Sequence, residues 1–382
     1  MKIIVKKNRC TGCTACMNIC PKHAITMDDD NRGFEYPTID QSKCINCKLC
    51  KKICPLLNTK TNEVINKCYA GYSKEDDYKI NSSSGGIFPL IANYILENNG
   101  IVIGAAFNNE NKLEHIAITK KEDLIKLMGS KYLQSNLNNI FSYVKENINK
   151  GKILFVGTPC QVAGLKSYLG NNTDNLYCID VVCHGVPSPK LFKKYVNELE
   201  KKYNDKLLNY IFRDKSTGWD TYSNTAIFKS NKFSELQSNN DYMKLFLSDV
   251  ALRESCFNCN FKLGNKYSDI TLGDFWGINN YYPEMYNEKG VSAIIINTRK
   301  GIEIFDCIEK KINYKECKIE EIINGNPSLK YSCVKPPKRE QFFDDFDKLS
   351  INQLLKKYEK KERLSRKIIR KIKKIIKLVI KK

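Results

Sequence analysis

At 382 residues the chain is too long for one small core, so two or three units are expected. Its 17 cysteines follow no N-terminal apolar leader, and no apolar run nears the ~20 residues that span a bilayer. That argues against a disulfide-stapled secreted domain and a helical membrane span, and predicts a cytoplasmic setting in which thiols serve metals. The formal charge of +21 invites nucleic acid, but residues 356–382 hold fourteen Lys or Arg against two Glu, so this tail alone carries +12 of it and no nucleic-acid partner is expected.

In chain order, residues 10–21 read Cys10-x2-Cys13-x2-Cys16-x3-Cys20-Pro21, and residues 44–55 repeat this as Cys44-x2-Cys47-x2-Cys50-x3-Cys54-Pro55 at a constant offset of 34. A loop with two-residue gaps wraps three thiolates around one cube, and the proline after the fourth cysteine turns the chain toward the other. Zinc is the rival use, but zinc sites pair two knuckles instead of spacing three cysteines evenly before a fourth. The pattern predicts one 4Fe-4S cluster on Cys10, Cys13, Cys16 and Cys54 and a second on Cys44, Cys47, Cys50 and Cys20. His23 reads as a surface residue of the next turn.

Residues 59–67 read as a polar linker. Ser83-Ser84-Gly85-Gly86 then precedes a helical pattern over 87–97, a backbone nest suited to phosphate or, equally, a plain capped turn. Residues 100–107 and 113–119 read as a strand hairpin, with His115 partly exposed within it. Lys131 is either a partner for a cofactor phosphate or solvated.

The stretch 152–189 carries two strand–turn–helix units in a row: strand 153–157 into Thr158-Pro159-Cys160 and a helix to 169, then strand 177–183 into His184-Gly185 and a helix over 190–203. A parallel sheet sets such strand ends side by side, where ligands bind against helix N-termini, so Cys160 and Cys183 are expected together. A thiol at a helix start has its thiolate favoured, which suits metal ligation. Residues 212–219 mix charge, glycine and Trp219 as binding loops or exposed turns do. Cys256-x2-Cys259 is a half-site that needs further ligands, with Cys160 and Cys183 the candidates. Residues 269–277 read as a strand ending in a glycine-flanked turn, and 291–297 as a buried strand. Cys68, Cys178, Cys307, Cys317 and Cys333 lack partner spacing and read as structural. From Leu364 to Ile380 apolar residues recur at a helical period against Lys and Arg, a basic amphipathic helix for an anionic membrane surface or a partner protein.

These motifs together resemble the coenzyme F420 hydrogenase/dehydrogenase beta-subunit family, in the branch with an N-terminal two-cluster ferredoxin module. The resemblance runs to about residue 345 and is carried by Ser83-Ser84-Gly85-Gly86, Gly157-Thr158-Pro159-Cys160-Gln161, Cys183-His184-Gly185-Val186-Pro187, the Cys256/Cys259 pair with Phe261-Lys262, and residues 269–277. It implies FAD, a third 4Fe-4S cluster on Cys160, Cys183, Cys256 and Cys259, and hydride exchange with coenzyme F420 or an organic, polysaccharide-related substrate. Ser84, Gly85 and Gly86 would approach the flavin with Lys131 as a further cofactor contact, and His184 and Asp274 are candidate proton donors at its edge.

The expected architecture is an α+β ferredoxin-like dicluster domain at 1–60, an α/β catalytic domain with a mixed or parallel sheet at 68–345, and a basic amphipathic tail with a C-terminal helix at 346–382. The expected activity is a flavin-dependent iron–sulfur oxidoreductase, because a flavin joins two-electron hydride chemistry to one-electron clusters. Its partner would be a redox protein such as ferredoxin or a partner oxidoreductase subunit. The alternative is an electron-relay subunit with no substrate of its own, docked by its tail to a partner or to the inner face of the membrane.

Overall fold

The computed structural model describes residues 4–58, 65, 67–263 and 267–360; the tail helix expected at 364–380 lies outside them. In the N-terminal module the 34-residue repeat is also a repeat of backbone conformation. Gly12 and Asn46 both have positive φ (70° and 55°), as do Thr14 and Lys48 (60° and 61°), one pair at each turn of the cysteine loops. These left-handed residues coil each loop tightly before a single helical turn, Ala15–Asn18 or Leu49–Lys52. Strands β1 (Ile25–Asp29) and β2 (Glu35–Ile39) pair antiparallel between the two loops.

The larger unit is built on β3 (Lys67–Ser73), β4 (Ile101–Phe107), β5 (Leu113–Ile118), β6 (Ile153–Gly157) and β7 (Leu176–Val181). A small antiparallel sheet of β8 (Leu207–Asp214), β9 (Ser223–Phe228) and β10 (Lys232–Leu236) follows, then β11 (Ile270–Asp274), β12 (Ser292–Ile296) and β13 (Ile312–Cys317). The main sheet has eight strands in the order β13-β3-β12-β11-β7-β6-β4-β5. Its centre, β4, β6, β7 and β11, is parallel, and both flanks are antiparallel, so the sheet is mixed. The sequence accounts for this: β6 and β12 are almost entirely apolar and buried, as strands covered on both faces must be. The expected hairpin forms with Val102 opposite Ile118 and Phe107 opposite Leu113. His115, expected to be partly exposed, is instead buried, its ring stacked on Phe155 at 5.3 Å and Nε2 3.0 Å from the Val156 carbonyl; burial pulls its pKa down to about 4, which keeps the ring neutral.

The small sheet packs with the helices Pro189–Tyr203, Asp241–Leu247 and Ile351–Tyr358 around Phe192, Tyr210, Phe212 and Tyr242. Ile351–Tyr358 falls in the stretch expected to be tail, yet it buries Ile351, Leu354, Leu355 and Tyr358, each apolar side chain contributing about 1.5–3 kcal/mol. The packed unit therefore reaches at least residue 358, because the apolar stripe there meets a complementary face.

The module sits on the larger unit through the helix Pro159–Leu169. A Cβ at Gly164 would fall 2.8 Å from Cys13 Cβ and 2.9 Å from its Sγ, so only glycine admits this approach. Buried Arg253 fastens the same face: Nε donates to the Cys10 carbonyl (2.8 Å), Nη2 to the Glu35 carbonyl (2.8 Å) and Nη1 to Gln134 (3.0 Å). Gly164→Val is expected to destabilise the assembly by about 1–3 kcal/mol despite a small gain in helix propensity. The check is the thermal midpoint by circular dichroism, expected to fall by several degrees.

Candidate functional site

The parallel strands bring their C-terminal ends to one edge of the sheet. Cys160 follows β6 at the start of the helix Pro159–Leu169, Cys183 follows β7, and Asp274 ends β11. Thr158 caps that helix in a reciprocal box with Gln161, which fixes the turn carrying Cys160. Cys160, Cys183, Cys256 and Cys259 line one cavity together with His184, Arg253, Phe261 and Lys262.

Three of these thiols are raised by burial and by their neighbours. Burial raises Cys160 first, and Cys259 and Cys183 add to it. Burial pushes Cys183 and Cys256 up to about 12 each, with neighbouring cysteines contributing. Burial thus outweighs the helix-start effect expected to favour the Cys160 thiolate. Thiols so close resist ionising unless a cation is supplied, which is what a metal cluster does. Donors already aim at the sulfurs: the Val186 amide at Cys256 Sγ and the Phe261 amide at Cys259 Sγ, both at 3.5 Å, while Thr158 Oγ1 lies 3.2 Å from Cys160 Sγ. Buried thiols, mutual proximity and N–H···S donors all fit a four-cysteine cluster.

Several of the module cysteines are raised in the same way. Burial pushes Cys13 up to about 12, with Cys10 and Cys54 adding to it; Cys16 is raised by burial, then by Cys13, Cys10 and Cys54. Cys50 is raised by burial, then by Cys47, Cys20 and Cys44. These neighbours fall mostly within the groups expected from the spacing, and Cys50 also acts on Cys16 across them. Cys13 also contributes to raising Cys160, so the first set adjoins the set in the larger unit.

A second feature lies apart from that cavity. The turn Ser83–Gly86 enters the helix Ile87–Glu97 with Gly86 at φ 79°, and a Cβ at Gly85 would meet the Gly71 carbonyl at 2.5 Å. Ser84 Oγ donates to the Val291 carbonyl (2.8 Å), and Lys215 Nζ donates to the carbonyls of Ser84 (2.9 Å), Lys79 and Lys289. Arg213 Nη2 donates to the Ser83 carbonyl (3.0 Å) and its guanidinium forks onto Asp274 at 2.9 and 3.0 Å. Burial opposes the charge on Arg213, but Asp274 prevails and holds it on. Burial pulls Lys215 down to about 7. Arg213 Nε and Ser82 Oγ are buried without a hydrogen-bond partner among the described residues. A glycine turn at a helix start, a buried guanidinium and two unused polar atoms fit the phosphates of a dinucleotide.

Asp274 has both oxygens engaged, since Trp219 Nε1 also donates to Oδ1 (2.6 Å); it is placed as the anchor of Arg213 rather than as a proton donor. Trp219 stacks on Trp276 at 5.0 Å and 8° and is buried, not an exposed turn. Lys131 Nζ donates to the carbonyls of Lys126 (3.1 Å) and Met128 (2.8 Å), and burial pulls it down to about 7. His184 lies with the cysteines; no residue of the Ser83–Gly86 cradle lines its cavity. Its Nε2 is 2.6 Å from Asp249 Oδ1, and although burial opposes the charged ring, hydrogen bonds to Asp249 and Cys333 raise it to about 9. Cys333, read as structural, donates to the His184 carbonyl at 3.0 Å. Arg213, Lys215, Asp249 and Cys333 were not legible as site residues, because no spacing links them; only the mixed composition of residues 212–219 hinted at the first two.

Family models match three consecutive segments: a 4Fe-4S dicluster domain at residues 9–57, the N-terminal part of the coenzyme F420 hydrogenase/dehydrogenase beta subunit at 68–142, and its C-terminal part at 150–322. No curated protein matches the chain. Among solved structures, a chain of the F420-reducing [NiFe] hydrogenase complex from Methanosarcina barkeri, studied by xenon derivatization, is similar at 17% identity with a TM-score of 0.48, over 78% of this chain and 92% of that one. The two beta-subunit models together take in more than half of the chain, and the dicluster model spans both cysteine runs. The chain belongs to the coenzyme F420 hydrogenase/dehydrogenase beta-subunit family, an iron–sulfur oxidoreductase subunit for electron transfer with a 4Fe-4S dicluster domain at its N-terminus.

Proposed function

We propose that the chain is a cytoplasmic iron–sulfur flavoprotein that joins a one-electron supply to two-electron chemistry on coenzyme F420 or an organic substrate. The observation that carries this reading is the convergence of Cys160, Cys183, Cys256 and Cys259 at the sheet edge, against a module whose Cys13 touches the same helix. The three cysteine sets would hold clusters for single-electron transfer, and the Ser83–Gly86 cradle would hold FAD, which would supply the exchange between one and two electrons. The protein's own residues prepare these places. Arg213, held by Asp274, keeps its guanidinium charged beside the turn, and Lys215 pins the glycine turn by its carbonyls. Arg253 and Gly164 keep the module seated.

The test is iron and flavin content of the anaerobically purified chain. About twelve irons and one flavin are expected. About eight irons and no flavin after reconstitution would instead favour the second reading, an electron-relay subunit for a partner enzyme, which the family's description as a beta subunit supports.

A further inference from the structure

The two module cysteine sets share one fold but not one environment. Cys10 and Cys54 are buried and Cys13 lies on Gly164, whereas Cys47 is exposed. Around Cys47 the residues at 41–48 are exposed except for half-buried Cys44, and Ile45 is 58% exposed. Residues 41–52 contain Lys43, Lys48, Lys51 and Lys52 and no acidic residue, and all four lysines are exposed, as is Lys22 beside Cys20. Lys43 lies 3.5 Å from Asp40; Lys22, Lys48, Lys51 and Lys52 form no ion pair among the described residues.

The internal repeat supplies its own control. At the offset of 34, the counterparts of Lys43, Ile45, Lys48, Lys51 and Lys52 are Arg9, Thr11, Thr14, Met17 and Asn18. Both halves carry the same ligand spacing, so cluster ligation does not demand Lys48, Lys51 or Lys52, while Lys43 has a basic counterpart in exposed Arg9. Favourable placement at the end of a helical turn accounts for Lys51 and Lys52 at most, and not for Lys43 or Lys48. A four-thiolate cluster adds a charge of about −2 to −3, which five lysines outweigh. What distinguishes the lysine-bearing half is that it faces away from the larger unit.

We propose that the face around Cys47, formed by Lys22, Lys43, Ile45, Lys48, Lys51 and Lys52, docks a small acidic one-electron carrier protein. The proposal rests on the reading of Cys20, Cys44, Cys47 and Cys50 as cluster ligands. An exposed apolar centre in a basic rim suits a transient redox interface, in which charge steers encounter and a small contact allows quick release. In the reducing direction each encounter moves one electron from carrier to protein, and no proton or group is transferred.

The test measures binding of an acidic two-cluster ferredoxin to the full holoprotein by surface plasmon resonance at low and physiological salt. The variant K43E/K48E/K51E/K52E is compared with K193E/K201E/K202E/K206E, which makes the same change of charge at exposed lysines on another part of the surface. The patch variant is expected to weaken binding at least about tenfold and the control less than about twofold, with wild-type affinity falling as salt rises. Both variants are expected to keep wild-type iron. Equal weakening in both, salt-independent binding, or a wild-type patch that takes anionic phosphatidylglycerol vesicles and not the ferredoxin would overturn the proposal. Iron missing from the wild-type module would overturn the ligand reading itself; intact iron without ferredoxin binding overturns the docking alone.

Discussion

Cys160→Ala is expected to remove iron from the larger unit alone, taking the chain from about twelve irons to between about eight and eleven. Three thiolates leave one iron open to water, so the cluster either loses that iron or is lost whole. The side chain sits behind a fixed turn: Thr158 and Gln161 cap each other around it, and Pro159 sets the first helical residue. Because the module sets use none of the same residues, their signal in electron paramagnetic resonance is expected to persist. Cys307→Ala, at an exposed thiol outside the cavity, is the control and is expected to keep about twelve irons. Electron transfer from reductant to a bound acceptor is expected to fall at least about 100-fold in Cys160→Ala, since the set between module and cradle is broken. Unchanged iron would remove Cys160 from the ligand set.

How much of this was legible beforehand divides by the range of the signal. The module cysteines carry their pattern within a dozen residues, and the 34-residue offset recurs in the backbone at Gly12, Asn46, Thr14 and Lys48. The strand–turn–helix units at 153–169 and 177–203 were legible because apolar runs break at Thr158-Pro159-Cys160 and at His184-Gly185, and Pro159 stands at the first helical position. From those turns the meeting of Cys160 with Cys183 follows by topology. The environments did not follow. His115 alternates as a half-exposed strand residue would, and only the covering of both sheet faces buries it. The helix at 351–358 has an amphipathic pattern equally suited to a membrane surface; what decides is that the Asp241–Leu247 helix offers it a partner face. Arg213 looks like one charge in a polar loop, and its worth depends on Asp274 arriving from a strand some sixty residues on.

That dependence makes Arg213→Leu the second large effect: flavin is expected to fall at least about tenfold while iron stays at about twelve. Arg213 is almost wholly buried and forks onto Asp274, so removing it alone leaves a partly buried carboxylate without its guanidinium partner, which destabilises the fold. Loss of flavin in that variant could then reflect a loosened fold. Arg213→Lys separates the causes, because it restores the charge beside Asp274 but not the planar fork, nor the Nε that now lacks a partner. If the guanidinium holds the cofactor, Arg213→Lys is expected to regain thermal stability and still bind flavin weakly. If its work is only to neutralise Asp274, Arg213→Lys recovers both. Trp219, stacked on Trp276 and bonded to the same carboxylate, supplies the readout: the near-ultraviolet circular dichroism of this stacked pair, recorded on flavin-free protein, reports whether the Asp274 cluster is intact in each variant.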